Sequence, residues 1–525
     1  MPFQKRLRAL PPEILSSLRR GIEKESLRVN PDGTLALTPH PDALGSALTH
    51  DHITTDFSES QLELITGVHD SVSGCLDELR KVHQFVHRHI GAETLWCCSM
   101  PCVLPSDDRI PIGRYGTSNV GTAKTVYRKG LSHRYGSRMQ TISGIHYNFS
   151  LPEAAWPLLQ QAGGQSGPIQ TFQDAAYFSL IRNFRRHSWL LLYLFGASPA
   201  VCSTFVAGRE HGLEELSPGN LYLPWATSLR MSPLGYQSAA QSSLAVSYNN
   251  LDTYAYSLAD ALTHPYPDYE KIGIRDGDDY KQLSTTLLQI ENEFYGTIRP
   301  KRPIRPGERP VHALRERGVE YVEVRLMDLN PFLAIGIDES TIRFLDIFLL
   351  HCLLTDGLAD TPADIVVLGR NQLLVARQGR DPALLLTRDS DSLSPAEWGT
   401  ELLKEFEPIA AALDGAHRTH AYGEVLANAG RLLAQPSLTP SSRVLQEMAG
   451  RYSNSFPHFG RDRSLQYKKE LLALPWSDAD EARFQQAAEA SLREQKHIED
   501  SDSMPFEIYR QHYLSRERLR ARRVA

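Results

Sequence analysis

Residues 140–151 read QTISGIHYNFSL, and residues 318–328 read GVEYVEVRLMD. Polar and apolar side chains alternate in both. Successive side chains of a β-strand point to opposite faces, and residues two apart share a face at roughly 7 Å. In the first stretch Ile145, Tyr147, Phe149 and Leu151 fall on one face, with Gln140, Gly144, His146, Asn148 and Ser150 on the other. In the second, Val322, Val324 and Leu326 oppose Tyr321, Glu323 and Arg325. Each strand therefore has one side suited to a core and one side rich in polar chemistry. Strands of this half-and-half kind belong to antiparallel sheets rather than to parallel sheets buried on both faces.

Two further segments have the same character. GIEKESLRV at 21–29 places Glu23 and Glu25 on a common face. TTDFSESQLELIT at 54–66 adds Asp56 and Glu63, with Leu62 and Leu64 pointing opposite to Glu63. Any one of these faces is explained by contact with water, and a lone histidine is more often a hydrogen-bonded structural residue than a ligand. Four such segments change the balance. If their polar faces converge, Glu23, Glu25, Asp56, Glu63, Glu323 and His146 surround one space. Carboxylates that close raise one another's pKa unless cations neutralise them. An oxygen-rich donor set suits Mg²⁺ or Mn²⁺ rather than zinc, and Mg²⁺ that keeps substrate phosphates among its ligands is the usual partner of ATP.

The remaining pattern is irregular. Helices are expected over 11–20, 77–89, 171–195 and 251–262, and strands over 244–248 and 287–293, followed by a more helical region from 341 onward. Absence of regular βαβ alternation predicts an α+β protein built on a curved, largely antiparallel sheet with surrounding helices. No repeat or low-complexity segment stands out. None of the breaks at 163–168, 300–310 and 433–442 looks like an interdomain linker, and the first two read as surface loops, so the expectation is one catalytic domain over 1–525. Its core would span about 15–380 and its more helical C-terminal region about 381–525.

Bulk properties exclude several classes. Hydrophobic residues make up 41% and charged residues 22% of the 525, and the net charge is −6. That balance predicts no nucleic-acid partner. The basic N-terminus lacks a following apolar run, so no signal peptide is expected. WLLLYLF at 189–195 is too short to span a bilayer, which needs about 20 residues, so no membrane partner is expected either. The six cysteines, three of them at 97, 98 and 102 with no second cluster, form no zinc pattern and point to reduced thiols in the cytoplasm. The five arginines at 515–523 read as a solvated helix end.

No phosphate-binding GxxxxGK[ST] loop is present. GTSNVGTAKT at 116–125 places Lys124 three residues after Gly121 instead of directly after it, and reads as a glycine-rich loop. Nucleotide binding would then rest on metal-held phosphates and scattered cations such as Arg128, Arg230, Arg325 and the basic loop 299–305.

These residues sit within longer motifs. The stretches YGTSNVG (115–121), YRKGLSHRYGSRMQTISGIHYNFSLP (127–152), YLPWATSLRMSPLGYQS (222–238), LQIENEFYGTIRPKR (288–302) and GVEYVEVRLMDLNPF (318–332) keep an order and spacing that resembles the proteobacterial type of glutamate–cysteine ligase, also called γ-glutamylcysteine synthetase. The resemblance covers about residues 15–355 and weakens toward 510. It implies a cup-like active site on a catalytic core similar to that of glutamine synthetase. It implies ATP-dependent joining of the glutamate γ-carboxyl to cysteine through a γ-glutamyl phosphate, as the first step of glutathione synthesis.

Carried over residue by residue, it implies two or three Mg²⁺ ions, with Mn²⁺ as an alternative, held by Glu23, Glu25, Asp56, Glu63, His146 and Glu323. It implies that Arg128 and Arg325 face the transferring phosphate or substrate carboxylates as catalytic groups. Arg230 would meet the glutamate α-carboxylate, and Tyr127, Asn148 and Tyr236 the cysteine pocket, with Gln140 and Tyr295 also near substrate. Partners would be L-glutamate, L-cysteine and ATP, with glutathione as a competing feedback inhibitor and a monomeric enzyme. A related ligase with a different amine, a non-catalytic metal binder and a metal-dependent hydrolase are the competing readings.

Overall fold

A computed structural model of the chain describes residues 3–235, 240, 244, 246–305 and 307–519. Strands of the main sheet are β1 (Arg19–Val29), β2 (Ile53–Thr55), β3 (Gln61–Ile65), β4 (Thr94–Leu95), β5 (Ile145–Ser150), β6 (Ile298–Lys301) and β7 (Tyr321–Met327). Their spatial order is β6-β7-β5-β1-β3-β2, with β4 joined to the end of β1. Every pairing is antiparallel. The fold is thus a mixture of antiparallel sheet and many helices, as the alternating stretches require.

Side-chain parity decides which face is buried. Ile22 on β1 lies opposite Tyr147 on β5, and Tyr147 lies opposite Val324 on β7, which in turn faces Ile298 on β6. All four are fully buried. Leu62 and Leu64 extend this apolar face along β3. Burying each such side chain is worth roughly 1.5–3 kcal/mol, so a one-residue slip would forfeit the whole face. A register shift between Val324 and Met327 bends the β7–β5 pairing.

Helices pack around the sheet. They are α1 (Val72–His89), α2 (Asn119–Tyr135), α3 (Ile169–His187), α4 (Trp189–Phe195), α5 (Glu339–Leu354), α6 (Pro362–Gln378), α7 (Pro395–His417) and α8 (Ala421–Ala434). Helix α5 is apolar nearly all round and lies among α1, α3, α7 and α8. Beneath it, Arg20 Nη2 pairs with Asp346 Oδ2 at 3.0 Å, and Tyr147 donates to Asp346 Oδ1 at 2.8 Å. Both charged side chains are wholly excluded from solvent. One ion pair therefore ties the sheet to the C-terminal helices.

Several expectations change. The strand expected over 140–151 begins only at Ile145, because Ser137–Gln140 forms a helical turn. The helix expected over 171–195 divides at Ser188 into α3 and α4. No strand forms at 287–293: the backbone N–H of Gln289 donates to the Glu293 carboxylate at 2.6 Å, and a 3₁₀ turn occupies Glu291–Glu293. Side-chain hydrogen bonds take the place of a ladder there. Residues 244 and 246–248 are likewise not a strand, and 245 lies outside the described residues.

The glycine-rich segment 116–125 is the start of a helix instead of a loop. Ser118 caps α2 by accepting from Gly121 N, and a side chain at 121 would strike the Tyr115 carbonyl at 2.1 Å. The basic segment 299–305 is partly strand, with Arg299–Lys301 inside β6. Residues 516–519 form a short 3₁₀ helix, and 520–523 lie outside the described residues. Among the described residues no helix is long and apolar enough to cross a membrane.

Candidate active site

The polar face of the sheet gathers most of the acids picked out by parity. Register sets Glu25 on β1 opposite Glu63 on β3, Glu23 opposite His146 on β5, and Asn148 opposite Glu323 on β7. His146 Nδ1 lies 3.3 Å from Glu23 Oε2, and Nε2 lies 3.6 Å from Glu25 Oε1. Asn148 donates to Glu23 Oε1 at 2.9 Å. Donor atoms of Glu23, His146 and Glu323 all fall within 4.8 Å of one another, a span one metal ion can bridge. Asp56 sits at the turn after β2, and its charge acts on both Glu25 and Glu63.

Electrostatics divide these acids into two groups. Burial, then the charge of Asp56, pushes Glu25 up to about 8. Burial, with Glu23, Asp56 and Glu25 nearby, raises Glu63 well above the usual carboxylate range. Burial also works against ionisation of Glu323, yet Lys301 and Arg325 outweigh it and hold Glu323 well below that range. Lys301 Nζ donates to Glu323 Oε1 at 3.1 Å, and Arg325 Nη1 to Oε2 at 3.0 Å. Burial and the charge of Glu323 oppose ionisation of Glu23, but His146 and Lys301 prevail and lower its pKa. Arg230 and Arg325 offset only part of the rise on the β1/β3 side, whereas Lys301 and Arg325 bond Glu323 directly at the β7 side.

Arg128 stands on α2. Its Nε donates to the Asp56 carbonyl, and its guanidinium lies 4.3 Å from the centre of the Tyr115 ring. The Tyr115 hydroxyl in turn bonds the carbonyls of Thr55 and Asp56 at 2.7 and 2.9 Å. The turn bearing Asp56 is therefore held from two sides. Tyr127 lies beside Arg128, with its ring centre 5.9 Å from the guanidinium.

Arg230 is 1% exposed. Its Nη2 donates to the Arg325 carbonyl at 2.7 Å, and Nη1 lies 3.8 Å from Asp328 Oδ1. Asp328 is itself fixed by Ser228 Oγ and Ala197 N. The guanidinium lies directly over Gly144, where a Cβ would come within 2.1 Å of Nη2. Gly144 also donates to Glu25 Oε2 at 2.7 Å, so this glycine joins the acid cluster to the arginine. Gln140, though off the strand, donates to the Tyr295 hydroxyl at 2.8 Å. Tyr295 also packs edge-on against Tyr135. Tyr236 lies outside the described residues.

A cavity of about 90 Å³ opens between these groups, lined by His146, Arg230, Tyr295, Thr297, Arg325 and Gln372 among others. Sequence reasoning missed Lys301, Tyr115 and Gln372 as individuals. Strand parity over 298–301 would have found Lys301, and Tyr115 opens the YGTSNVG motif; Gln372 carries no sequence signal, since packing alone brings it in.

Clustered buried acids able to hold a hard cation, beside fixed guanidiniums able to hold anions, define an enzyme-type centre for anionic substrates. The chain belongs to the glutamate–cysteine ligase family, whose profile, described as glutamate-cysteine ligase, matches residues 6–375. It is 49% identical to the glutamate–cysteine ligase of Alcanivorax borkumensis over 95% of this chain and 96% of that protein. It is 48% identical to that of Pseudomonas fluorescens strain Pf0-1 over 94% and 93%. Among solved structures it resembles glutamate–cysteine ligase of Francisella tularensis in complex with AMP, at a TM-score of 0.89 and 36% identity, covering 95% of this chain and 97% of that one. It also resembles a bifunctional glutathione synthetase from Pasteurella multocida, at 0.72 and 25%, covering 92% and 57%.

Proposed function

We propose that this enzyme joins the γ-carboxyl of L-glutamate to the amine of L-cysteine at the expense of ATP, giving γ-glutamylcysteine, ADP and phosphate. The observation that carries the reading is the convergence of Glu23, Glu25, Glu63, His146 and Glu323 on one sheet face beside Arg230 and Arg325, in a chain whose relatives carry that name.

A carboxylate is a poor acyl donor, so the γ-carboxylate attacks the γ-phosphate of ATP and becomes a γ-glutamyl phosphate. The cysteine amine then displaces phosphate, and its proton passes to the leaving phosphate or to an acid of the cluster. The oxygen-rich donor set, with two acids raised by mutual charge and burial, fits two or three Mg²⁺ or Mn²⁺ ions held by Glu23, Glu25, Asp56, Glu63, His146 and Glu323. When bound, such ions neutralise the phosphate charge that develops during transfer. Arg128 and Arg325 supply fixed positive charge around the transferring group. Arg230 grips the α-carboxylate as a fork and so leaves the γ-carboxyl to react. Asn148 and Tyr127, with Tyr236 by the resemblance, take the cysteine role, and Gln140 and Tyr295 contribute to substrate binding nearby.

The reading extends to architecture and setting. The bent antiparallel sheet is the wall of a cup of the glutamine-synthetase type, one catalytic unit acting as a monomer. The six cysteines, free and buried, suit a reducing cytoplasm. The test is an assay of γ-glutamylcysteine and ADP with glutamate, cysteine, ATP and Mg²⁺ omitted in turn. Product is expected only with all four; ADP released without cysteine-dependent product overturns the proposal.

A further inference from the structure

An arginine fork recognises any carboxylate, so Arg230 by itself cannot tell glutamate from glutarate. Glutamate's α-ammonium needs an acceptor on the Arg230 side of the cavity. Most polar side chains there already have partners. His146 faces Glu23 and Glu25, the Ser232 hydroxyl donates to the Leu229 carbonyl at 2.7 Å, and the Tyr295 hydroxyl accepts from Gln140. Among the described residues, the side chains of Thr297 and Gln372 line the cavity and make no hydrogen bond. Thr297 lies at the strand edge, where its carbonyl accepts from Arg325 N at 2.8 Å.

Gln372 belongs to the Arg230 wall. The last turns of α6 are pinned to the segment that leads into Arg230: the Ala376 carbonyl accepts from Thr227 N and Ser228 N at 3.0 and 3.1 Å, and the Val375 carbonyl accepts from Thr227 Oγ1 at 2.9 Å. Residue 372 lies one turn before Ala376 on the same helix face. Its neighbour Asn371 is occupied elsewhere, bonded to the backbone of Thr387 in both directions. Gln372 is half-buried and lines the cavity.

We propose that Gln372 is a specificity-determining residue whose side-chain carbonyl accepts from the α-ammonium of glutamate while Arg230 holds the adjoining carboxylate. A neutral acceptor suits this place. An acid here would compete with the substrate carboxylate for the nearby guanidiniums, whereas an amide reads the ammonium without adding a negative charge. The proposal rests on Arg230 marking the α-end of glutamate. It makes α6, a helix outside the sheet, the element that selects α-amino acids over plain dicarboxylates.

The test uses the whole enzyme with Mg²⁺, ATP and cysteine, and compares KM for glutamate with Ki for glutarate as a competitive inhibitor. Gln372→Met keeps length and bulk but removes the acceptor. A hydrogen bond to a charged group is worth about tenfold or somewhat more. KM for glutamate is therefore expected to rise on the order of tenfold, with Ki for glutarate within about twofold of the parent. A merely structural role would move both constants together, and that result, or an unchanged KM, overturns the proposal. Gln372→Leu, checked for an unchanged melting temperature, repeats the measurement should the methionine variant fold poorly. Arg230→Lys is the control: it should weaken glutamate and glutarate alike. If Arg230→Lys moves neither ligand, the assignment of the α-end has failed rather than the role of Gln372 alone.

Discussion

Replacing Gly144 by alanine tests how glutamate is held. The backbone there lies outside the left-handed region, so alanine costs little locally. The new Cβ would lie 2.1 Å from Arg230 Nη2, 2.5 Å from Cζ and 2.8 Å from Nε. Ordinary contact begins near 3.4 Å, so the guanidinium must retreat by about 1.3 Å. Arginine is flexible, yet this one is buried and bonded to the Arg325 carbonyl, and retreat breaks that bond. A displacement of about 1 Å in a positioning group can cost about 100-fold in rate. We expect kcat/KM for glutamate to fall by one to two orders of magnitude, mostly through KM, with KM for ATP nearly unchanged. Steady-state kinetics with each substrate varied in turn, on protein whose melting temperature matches the parent, decides the matter. An unaltered KM for glutamate in the folded variant refutes the reasoning that Gly144 exists to seat Arg230.

Glu323→Ala removes an acid that both Lys301 and Arg325 hold ionised; turnover should drop at least about 100-fold, and near-normal turnover at saturating Mg²⁺ would rule out its role as a metal ligand. Asp346→Ala strands the Arg20 charge in a dry core and should destabilise the protein by about 3–5 kcal/mol, read as a lowered urea midpoint; a midpoint equal to the parent's would show the pair to be dispensable. His87 is pushed down to about 3, by burial first and then by Lys468 and Lys24. Between that value and the ordinary 6.5 the unfolded chain takes up a proton that the folded chain refuses, so stability rises with pH across this window and is lost on acidification. At pH 5 that loss amounts to about 2 kcal/mol. His87→Leu should remove it, so urea titrations at pH 7 and pH 5 should differ less than in the parent; an identical difference contradicts the assignment.

Period-two alternation makes the polar face of the sheet legible in the amino-acid sequence, because strand parity is local. Glu23, Glu25, Glu63, His146 and Glu323 all stand on the side that alternation assigns them. Parity fails where side chains replace the ladder. At 287–293 the pattern is strand-like, yet Glu291 is committed to Arg309 and Glu293 to Arg134. Lys24 is invisible for a related reason. It lies among apolar neighbours on the core side of β1, buried down to a pKa of about 7, with His83 Nε2 at 2.9 Å and Ser26 Oγ at 2.7 Å as its partners. Those partners come from tertiary packing and from its own strand, not from a recognisable motif. Gln140 reaches Tyr295 from a helical turn, since the strand starts only at Ile145. Gln372 has no pattern to reveal it, being one polar residue on an otherwise ordinary helix.

Strand β7 lies between β6 and β5, although about 170 residues separate it from β5 in the chain. On the ribosome, the first-made strands must therefore wait for Glu323 to emerge, some ten to thirty seconds at ordinary elongation speeds of about 5–20 residues per second. During that interval β5 offers an open hydrogen-bonding edge with an apolar flank. Proofreading of this enzyme by chaperones should concentrate on nascent chains paused in that gap, and a synonymous slowing of translation there should lower yield more than the same slowing after β7 is complete.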